Sequence, residues 1–447
     1  MRNSYRDIYR TRFAKRDWHR PSPLVLVLVG LGAAILTAAG VLVSGLWRQP
    51  SSMPASAPQT VRGWAAPVLS LPAEERAALF RADYFYAPAA AARFSARLHG
   101  QPVQVTTTLQ PDLQHRLLDL LRLHGPLLAA GVVLDAGTGA VLAMGNYIAD
   151  TQALQLFGGT QRNFCLAADF PAASLIKIVS AAAVLEKKGF SPATTLPVSG
   201  GYHTLYKHQL GLSRLRYKPE AVSLEKAFSR SINPFFGLLG IKYLSDAAFA
   251  EIAGRLQFDH ALAFDLPVEC SHVFQPTTDF ERAELTSGFN SRTRISPLHA
   301  ALLAAMAVND GTIMRPFLVE DITDESGSLL FQSELEVLDR PLADRTIGHL
   351  THLMQTTVRS GTARRSFRRL LRKSLRSCTV GGKTGAIDLP ESGRRCEWFA
   401  GYACRDDQRL AVGIVVVHGE LRAVRPTYVA AEIFRQGLRS VVAAAAP

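Results

Sequence analysis

The run LVLVLVGLGAAILTAAGVLVSGL, residues 24–46, constrains this chain more than any other feature, because it carries no charge at all. At about 1.5 Å per residue, a helix of this length crosses a hydrocarbon layer of about 30 Å. It is predicted to be a transmembrane helix. A cleaved secretory signal has a shorter apolar core of about 7–15 residues, so the anchor is expected to persist. In front of it, Arg2, Arg6, Arg10, Arg12, Lys15, Arg16 and Arg20 stand against only Asp7 and Asp17. Such an excess of positive charge keeps a flank in the cytoplasm. The chain divides into a basic cytoplasmic tail (1–23), the helix (24–46), a linker and short extracytoplasmic stalk (47–102) and one large domain (103–447).

The net charge of +13, from 50 Lys and Arg against 37 Asp and Glu, invites a nucleic-acid reading until its distribution is considered. Five of the excess positives lie in the tail, and seven basic residues crowd RRSFRRLLRKSLR, residues 364–376. There Phe367, Leu370, Leu371 and Leu375 recur at helical spacing, so the segment reads as a surface helix with a solvated basic face rather than a site for anionic lipid. No nucleic-acid partner is expected. Cys165, Cys270, Cys378, Cys396 and Cys404 are too scattered for a disulfide framework and form no CxxC pair. A single bridge among the last three is left open. No His and Cys spacing suggests a zinc site, and no metal or cofactor is implied.

After the 24–46 run, RQPSSMPASAPQT reads as a linker, and the stretch from Trp64 to Gly100, with a helical piece in PAEERAALFRADYFY, is too small to bury a substantial core alone. From Val103 onward strands and helices alternate without repeats. GVVLDAGTGAVLAM reads as a hairpin turning at Gly137 to Gly139, with Asp135 as a turn residue. CTVGGKTG, EWFAGYAC and RLAVGIVVVHG supply three more strands near the C-terminus, with Trp398 and Phe399 as core aromatics. ASLIKIVSAAAVLEKK and PLHAALLAAMAV read as helices between them. The expected fold is α+β: a central antiparallel sheet closed by both ends of the domain, flanked by helices, with a mostly helical subdomain inserted.

Ser174 and Lys177 stand at i and i+3 at the start of a predicted helix, on one face and one turn apart. A serine hydroxyl needs an adjacent base to become a nucleophile. A lysine can serve if burial or a neighbouring positive charge lowers its pKa, and Ala172, Ala173, Leu175, Ile176, Ile178 and Val179 are apolar enough to bury it. The pair alone is weak, since Ser223 and Lys226 repeat the spacing. Two additions favour Ser174: SIN at Ser231–Asn233, and KTG at Lys383–Gly385. A second hydroxyl and an amide can relay a proton and hold a substrate amide, and a lysine on a strand edge can meet a carboxylate. The bland alternatives are that Ser231 and Asn233 cap a helix beginning near Pro234, that Lys383–Gly385 is a polar strand end, and that His203 and His208 are surface-loop residues rather than lining of the cleft mouth.

The ordered set SxxK, SxN, KTG resembles the penicillin-binding proteins, the serine acyl-transferases related to β-lactamases. TTTLQPDLQ, GVVLDAGTGAVLAM, LEKAFSRSINPFFGLLG, SPLHAALLAAMAVNDGTIMRPFLV, SGTA at Ser360–Ala363 and WFAGYA extend the resemblance over about residues 103–440. It implies a membrane-anchored peptidoglycan D,D-transpeptidase or carboxypeptidase of the bacterial inner membrane, with its catalytic domain outside. Ser174 would attack the carbonyl of a D-alanyl-D-alanine stem peptide, with Lys177 as base and Ser231 passing a proton to the leaving amine. Asn233 would bind the peptide. Lys383 and Thr384 would engage its terminal carboxylate beside Gly385, and the backbone N–H groups of Ser174 and Ala386 would form the oxyanion hole. β-Lactams are expected to acylate the same serine. The resemblance departs at Ala386, where a hydroxyl residue is usual, and at Phe289–Asn290 in SGFNSRTRI, where a glycine-bracketed pair is usual. The 47–102 segment is too short for a glycosyltransferase domain, so a membrane glycosyltransferase partner is expected. A β-lactamase or β-lactam sensor domain, and a catalytically inactive scaffold in wall assembly or division, are the competing readings.

Overall fold

The computed structural model describes residues 71–80, 92–214, 218–390 and 392–438. The basic tail and the apolar run 24–46 lie outside these residues, and among the described residues no helix is long and apolar enough to cross a membrane.

The predicted hairpin is β1 (Leu128–Asp135) and β2 (Val141–Ile148). Asp135 closes its turn, with Oδ1 accepting from the N–H of Gly137 at 2.8 Å and of Thr138 at 3.0 Å, as short acidic side chains do in turns. Near the C-terminus β3 (Thr379–Asp388), β4 (Arg395–Arg405) and β5 (Gln408–Val417) form a meander. The sheet runs in the order β3-β4-β5-β1-β2, antiparallel throughout, and Val412 of β5 lies opposite Val133 of β1. Both ends of the domain therefore close one sheet, as expected.

Side chains alternate across a strand, and β4 buries both of its faces. Trp398, Ala400 and Tyr402 join one apolar cluster, while Phe399 and Ala403 join the other. The second cluster takes its cover from α1 (Pro111–Leu121). The first holds the inserted helices: α2 (Lys177–Lys188), α3 (Leu224–Arg230), α4 (Asn233–Lys242), α5 (Asp279–Ser287), α6 (Pro297–Val308) and α7 (Asp344–Arg359). The last helix, α8 (Pro426–Gly437), returns to the second cluster beside α1. Helix α6 is apolar all round and buried from Pro297 to Ala307, as a helix must be when it has no solvent face.

Three features differ from the sequence reading. Arg93–Leu98 pairs with Gln101–Thr107, and Val319–Asp324 and Leu329–Gln332 complete a separate four-stranded sheet. The boundary expected between residues 102 and 103 thus falls inside a hairpin. The basic segment 364–376 is helical only at Arg364–Phe367 and continues in turns. Five like-charge pairs at i,i+4, such as Arg364 with Arg368, oppose a longer helix, and the segment is held instead by burying Phe367 against Phe399 and Phe434. All five cysteines are free thiols, so the bridge left open by the sequence is not formed.

At Gly413 of β5 an added Cβ would lie 2.1 Å from the Pro297 carbonyl oxygen and 2.6 Å from the Ala301 nitrogen. Backbone on both sides cannot yield as a flexible side chain can. Gly413→Ala is expected to cost about 3 kcal/mol, the upper part of the range for overpacking, read as a lowered denaturation midpoint at unchanged slope.

Candidate active site

Ser174 stands in a 3-10 turn, Ala173–Ile176, that runs directly into α2. The residue before it, Ala173, has φ +45°, a left-handed conformation that costs a non-glycine residue about 1–3 kcal/mol. The turn is held from two sides. Trp398 Nε1 donates to the Pro171 carbonyl at 2.9 Å, and Gly288, at φ +68°, packs so tightly that a Cβ there would lie 1.9 Å from the Ala173 carbonyl oxygen. Beyond Gly288, Asn290 closes its own turn by accepting from Arg292 and Thr293 N–H at 3.0 and 2.8 Å, while Phe289 points outward.

Lys177 is wholly buried one turn below Ser174. Its Nζ lies 2.7 Å from Ser174 Oγ, 2.7 Å from Asn233 Oδ1 and 3.2 Å from Ser231 Oγ. Ser231 is the left-handed C-cap of α3, at φ +58°. Asn233 opens α4, and its N–H donates to the Tyr202 carbonyl at 2.7 Å. Neither side chain caps a helix, so the capping alternative fails: the N-cap is Ile232, and both polar groups turn toward Lys177 instead. The repeated pair is accounted for differently. Ser223 is the N-cap of α3, accepting from Lys226 N–H at 3.1 Å, and Lys226 lies on the surface 3.7 Å from Glu220.

Lys383 comes from β3, the edge strand of the main sheet, and is also wholly buried. Its Nζ donates to Ser231 Oγ at 3.0 Å and to the Thr384 carbonyl at 2.9 Å. Thr384 is half-buried, with Oγ1 2.5 Å from Thr362 Oγ1. Gly385 lies over the Ala172–Ala173 turn, where a Cβ would approach that of Ala173 to 3.4 Å. Ala386 follows, exposed and opposite Glu397. The geometry therefore gathers Ser174, Lys177, Ser231, Asn233 and Lys383 around shared hydrogen bonds, with Thr384, Gly385 and Ala386 continuing along β3.

Among the described residues no carboxylate bonds to either buried amine. Burial holds the Lys177 pKa well below its ordinary 10.5, and the charge of Lys383 lowers it further. Burial brings Lys383 down to about 7. A neutral Lys177 can donate to Asn233 Oδ1 and present its lone pair to the Ser174 hydroxyl. His203, expected on the surface, keeps solvent access but belongs to the cleft. Its pKa is lowered by burial against the wall and by the charge of Lys177, and it hydrogen-bonds to the backbone of Ser231. Its neighbour Tyr202, tied to Asn233, is the link that sequence spacing does not disclose. His208 stacks on Tyr206. No group of three His, Cys, Asp or Glu among the described residues is placed to hold a metal ion.

The family model of the penicillin binding protein transpeptidase domain matches residues 129–439, most of the chain. The chain belongs to that family. A relative, the peptidoglycan D,D-transpeptidase PbpA of Mycolicibacterium smegmatis, is 24% identical over 349 residues, covering 70% of this chain and 67% of its own. Stage V sporulation protein D of Bacillus subtilis is 24% identical over 201 residues, covering 42% of this chain and 29% of its own. The crystal structure of PBPA from Mycobacterium tuberculosis superposes with a TM-score of 0.60 at 24% identity, covering 76% of this chain and 82% of that one. The imipenem acyl-enzyme complex of the same protein matches with a TM-score of 0.60, covering 75% and 79%. These likenesses establish the α+β transpeptidase fold of antiparallel sheets and helices.

The two lowered lysines make this transpeptidase domain's stability depend on pH. The folded site releases protons that the unfolded chain retains up to about pH 10.4, so stability rises with pH once the folded pKa is passed. The rise begins near pH 7, where Lys383 titrates. It is opposed above about pH 8.5, where unfolded thiols ionise while Cys165, pushed up to about 12 by burial, stays protonated. Thermal midpoints are expected to rise from about pH 7 to 8.5. Lys383→Met removes the amine that titrates near pH 7 and should reduce the rise; an unaltered slope would show that Lys383 does not titrate in this range.

Proposed function

We propose that the protein is a membrane-anchored peptidoglycan D,D-transpeptidase that works through a Ser174 acyl-enzyme. One observation carries the reading: the buried, carboxylate-free Lys177 amine 2.7 Å from Ser174 Oγ, the arrangement a hydroxyl needs to lose its proton during attack. In this reading Lys177 takes the Ser174 proton as Oγ bonds to the penultimate D-alanine carbonyl. Ser231, hydrogen-bonded to both lysines, passes a proton to the departing D-alanine amine. Asn233 holds the peptide, and Lys383 and Thr384 receive the terminal carboxylate. The negative oxygen of the tetrahedral intermediate is met by the backbone N–H groups of Ser174 and Ala386. An amine of a second stem peptide then takes the acyl group; water in its place gives carboxypeptidase activity.

The absence of any carboxylate hydrogen-bonded to Ser174, Lys177, Ser231 or Lys383 among the described residues favours a persistent acyl-enzyme over a β-lactamase, which must activate a deacylating water. The basic tail 1–23 and the apolar run 24–46, read as a transmembrane helix, complete the proposal, in which the catalytic domain stands at the outer face of the inner membrane. A membrane glycosyltransferase would supply the glycan strands.

The test is acylation by a reporter penicillin, followed by intact mass on wild type, Ser174→Ala and Ser223→Ala. A stable adduct is expected in wild type and Ser223→Ala and none in Ser174→Ala. Rapid penicillin turnover without a stable adduct would favour a β-lactamase, and a folded protein showing neither adduct nor turnover would leave the scaffold reading.

A further inference from the structure

The basic segment 364–376 is not absorbed by the site described above. At its start a cavity of about 390 Å³ opens, lined by Arg230, Thr362, Arg364, Arg365 and Arg368 among others. Four arginines line this one cavity, all of them solvent-exposed, and none has a carboxylate partner among the described residues. By contrast Arg282 is paired with both Asp246 and Asp279, and Arg435 with Glu432. Their positive charge cannot be shed by deprotonation, because a guanidinium stays charged. A ligand with planar, anionic oxygens can balance it, through the paired hydrogen bonds that arginine makes with carboxylates.

The cavity is a built feature rather than a loose patch. Phe367 is fully buried against Phe399 and Phe434, and Ser366 Oγ lies 2.8 Å from Thr427 Oγ1 of α8. Thr362 N–H donates to the Ser229 carbonyl at 3.0 Å, two residues before Ser231. The Thr362 hydroxyl meets that of Thr384 at 2.5 Å. Thr362 is thus a shared wall, with the Lys383–Thr384 end of the cleft on one side and the arginines on the other.

We infer that this pocket binds a carboxylate of the acceptor stem peptide. The inference rests on the transpeptidase reading. Once D-alanine has left, the amine that resolves the acyl-enzyme enters from the side it vacated, the Lys383–Thr384 side. The acceptor is itself a stem peptide and ends in a carboxylate. In the transfer the acceptor nitrogen bonds to the acyl carbon, the bond from that carbon to Ser174 Oγ breaks, and one amine proton passes by way of the Lys177 amine to Ser174 Oγ. Water competes for the same acyl carbon. By holding the acceptor through its carboxylate, Arg364, Arg365, Arg368 and Arg230 set the ratio of crosslinking to hydrolysis.

The test uses the full chain in detergent micelles and a triple variant, Arg364→Gln with Arg365→Gln and Arg368→Gln, which keeps the Phe367 anchor. Penicillin acylation involves no acceptor and is expected to stay within about twofold of wild type in the variant, a difference below one hydrogen bond. No acylation of the wild-type chain would defeat the transpeptidase reading and leave the pocket to be judged by binding. Binding is measured by calorimetry on the Ser174→Ala chain, with acceptor stem peptide bearing a free or an amidated C-terminus. Amidation should weaken binding about tenfold with the arginines present, the scale of one charge-assisted pair, and have little effect in the triple variant. With an active chain, the ratio of crosslinked to hydrolysed product should fall about tenfold in the triple variant. Equal binding of the two peptides with the arginines present overturns the inference. So does arginine-dependent binding of vesicles containing anionic phospholipid without discrimination between the peptides, which would assign the pocket to a lipid headgroup. Should the triple variant not fold, Arg230→Gln, on a separate helix, carries the same comparisons.

Discussion

Two lysine amines buried side by side without a carboxylate are the constraint on which this structure turns. Removing a charged amine from water is so unfavourable that the group sheds its proton or finds dense hydrogen bonding. Both outcomes are visible here. Lys177 and Lys383 each bond to the Ser231 hydroxyl, and each amine sits over a phenylalanine ring, Phe236 and Phe228 respectively. Lys177 also feels the charge of its neighbour and is the amine driven to neutrality. Two amines of different basicity thus stand within reach of one hydroxyl, set apart by small differences of surroundings.

Holding such a pair needs a scaffold that cannot relax around it. The two amines come from opposite ends of the domain, one from the first turn of α2 and one from the edge strand β3. Sheet closure between β5 and β1 brings those ends together. The Trp398–Pro171 hydrogen bond then ties the turn before Ser174 to the strand beside Lys383. Left-handed backbone at Ala173 and Ser231 places strain next to the reacting groups, where strain persists only if the surroundings over-determine it.

Much of this was legible in the sequence because it rests on local pattern. Apolar runs separated by polar turns marked the five strands of the main sheet, and a Gly-containing turn marked the hairpin. The three short motifs named the residues that converge on Lys177; the spacing alone could not separate Ser174 from Ser223, and the company of SIN and KTG favoured Ser174. The structure separates them through the backbone: one serine sits over a buried amine, the other caps a helix. What stayed hidden depends on long-range pairing. Arg93–Leu98 has no partner until Gln101–Thr107 and Val319–Asp324 are brought beside it. The helical spacing of Phe367, Leu370, Leu371 and Leu375 was real but short-lived, because repulsion among neighbouring cations outweighs it. His203 joins the cleft only through the bond between Tyr202 and Asn233.

The order of the elements along the chain also bears on when the site can exist. Chains emerge from the ribosome N-terminus first. Ser174 and Lys177 are therefore made long before Lys383, Trp398 and β5, and the sheet edge beside them stays open until the last strand arrives. A half-finished chain carries Ser174 and Lys177 without the second amine, the tryptophan clamp or the closing strand. Assembly of the site is thus deferred to the end of synthesis by topology alone.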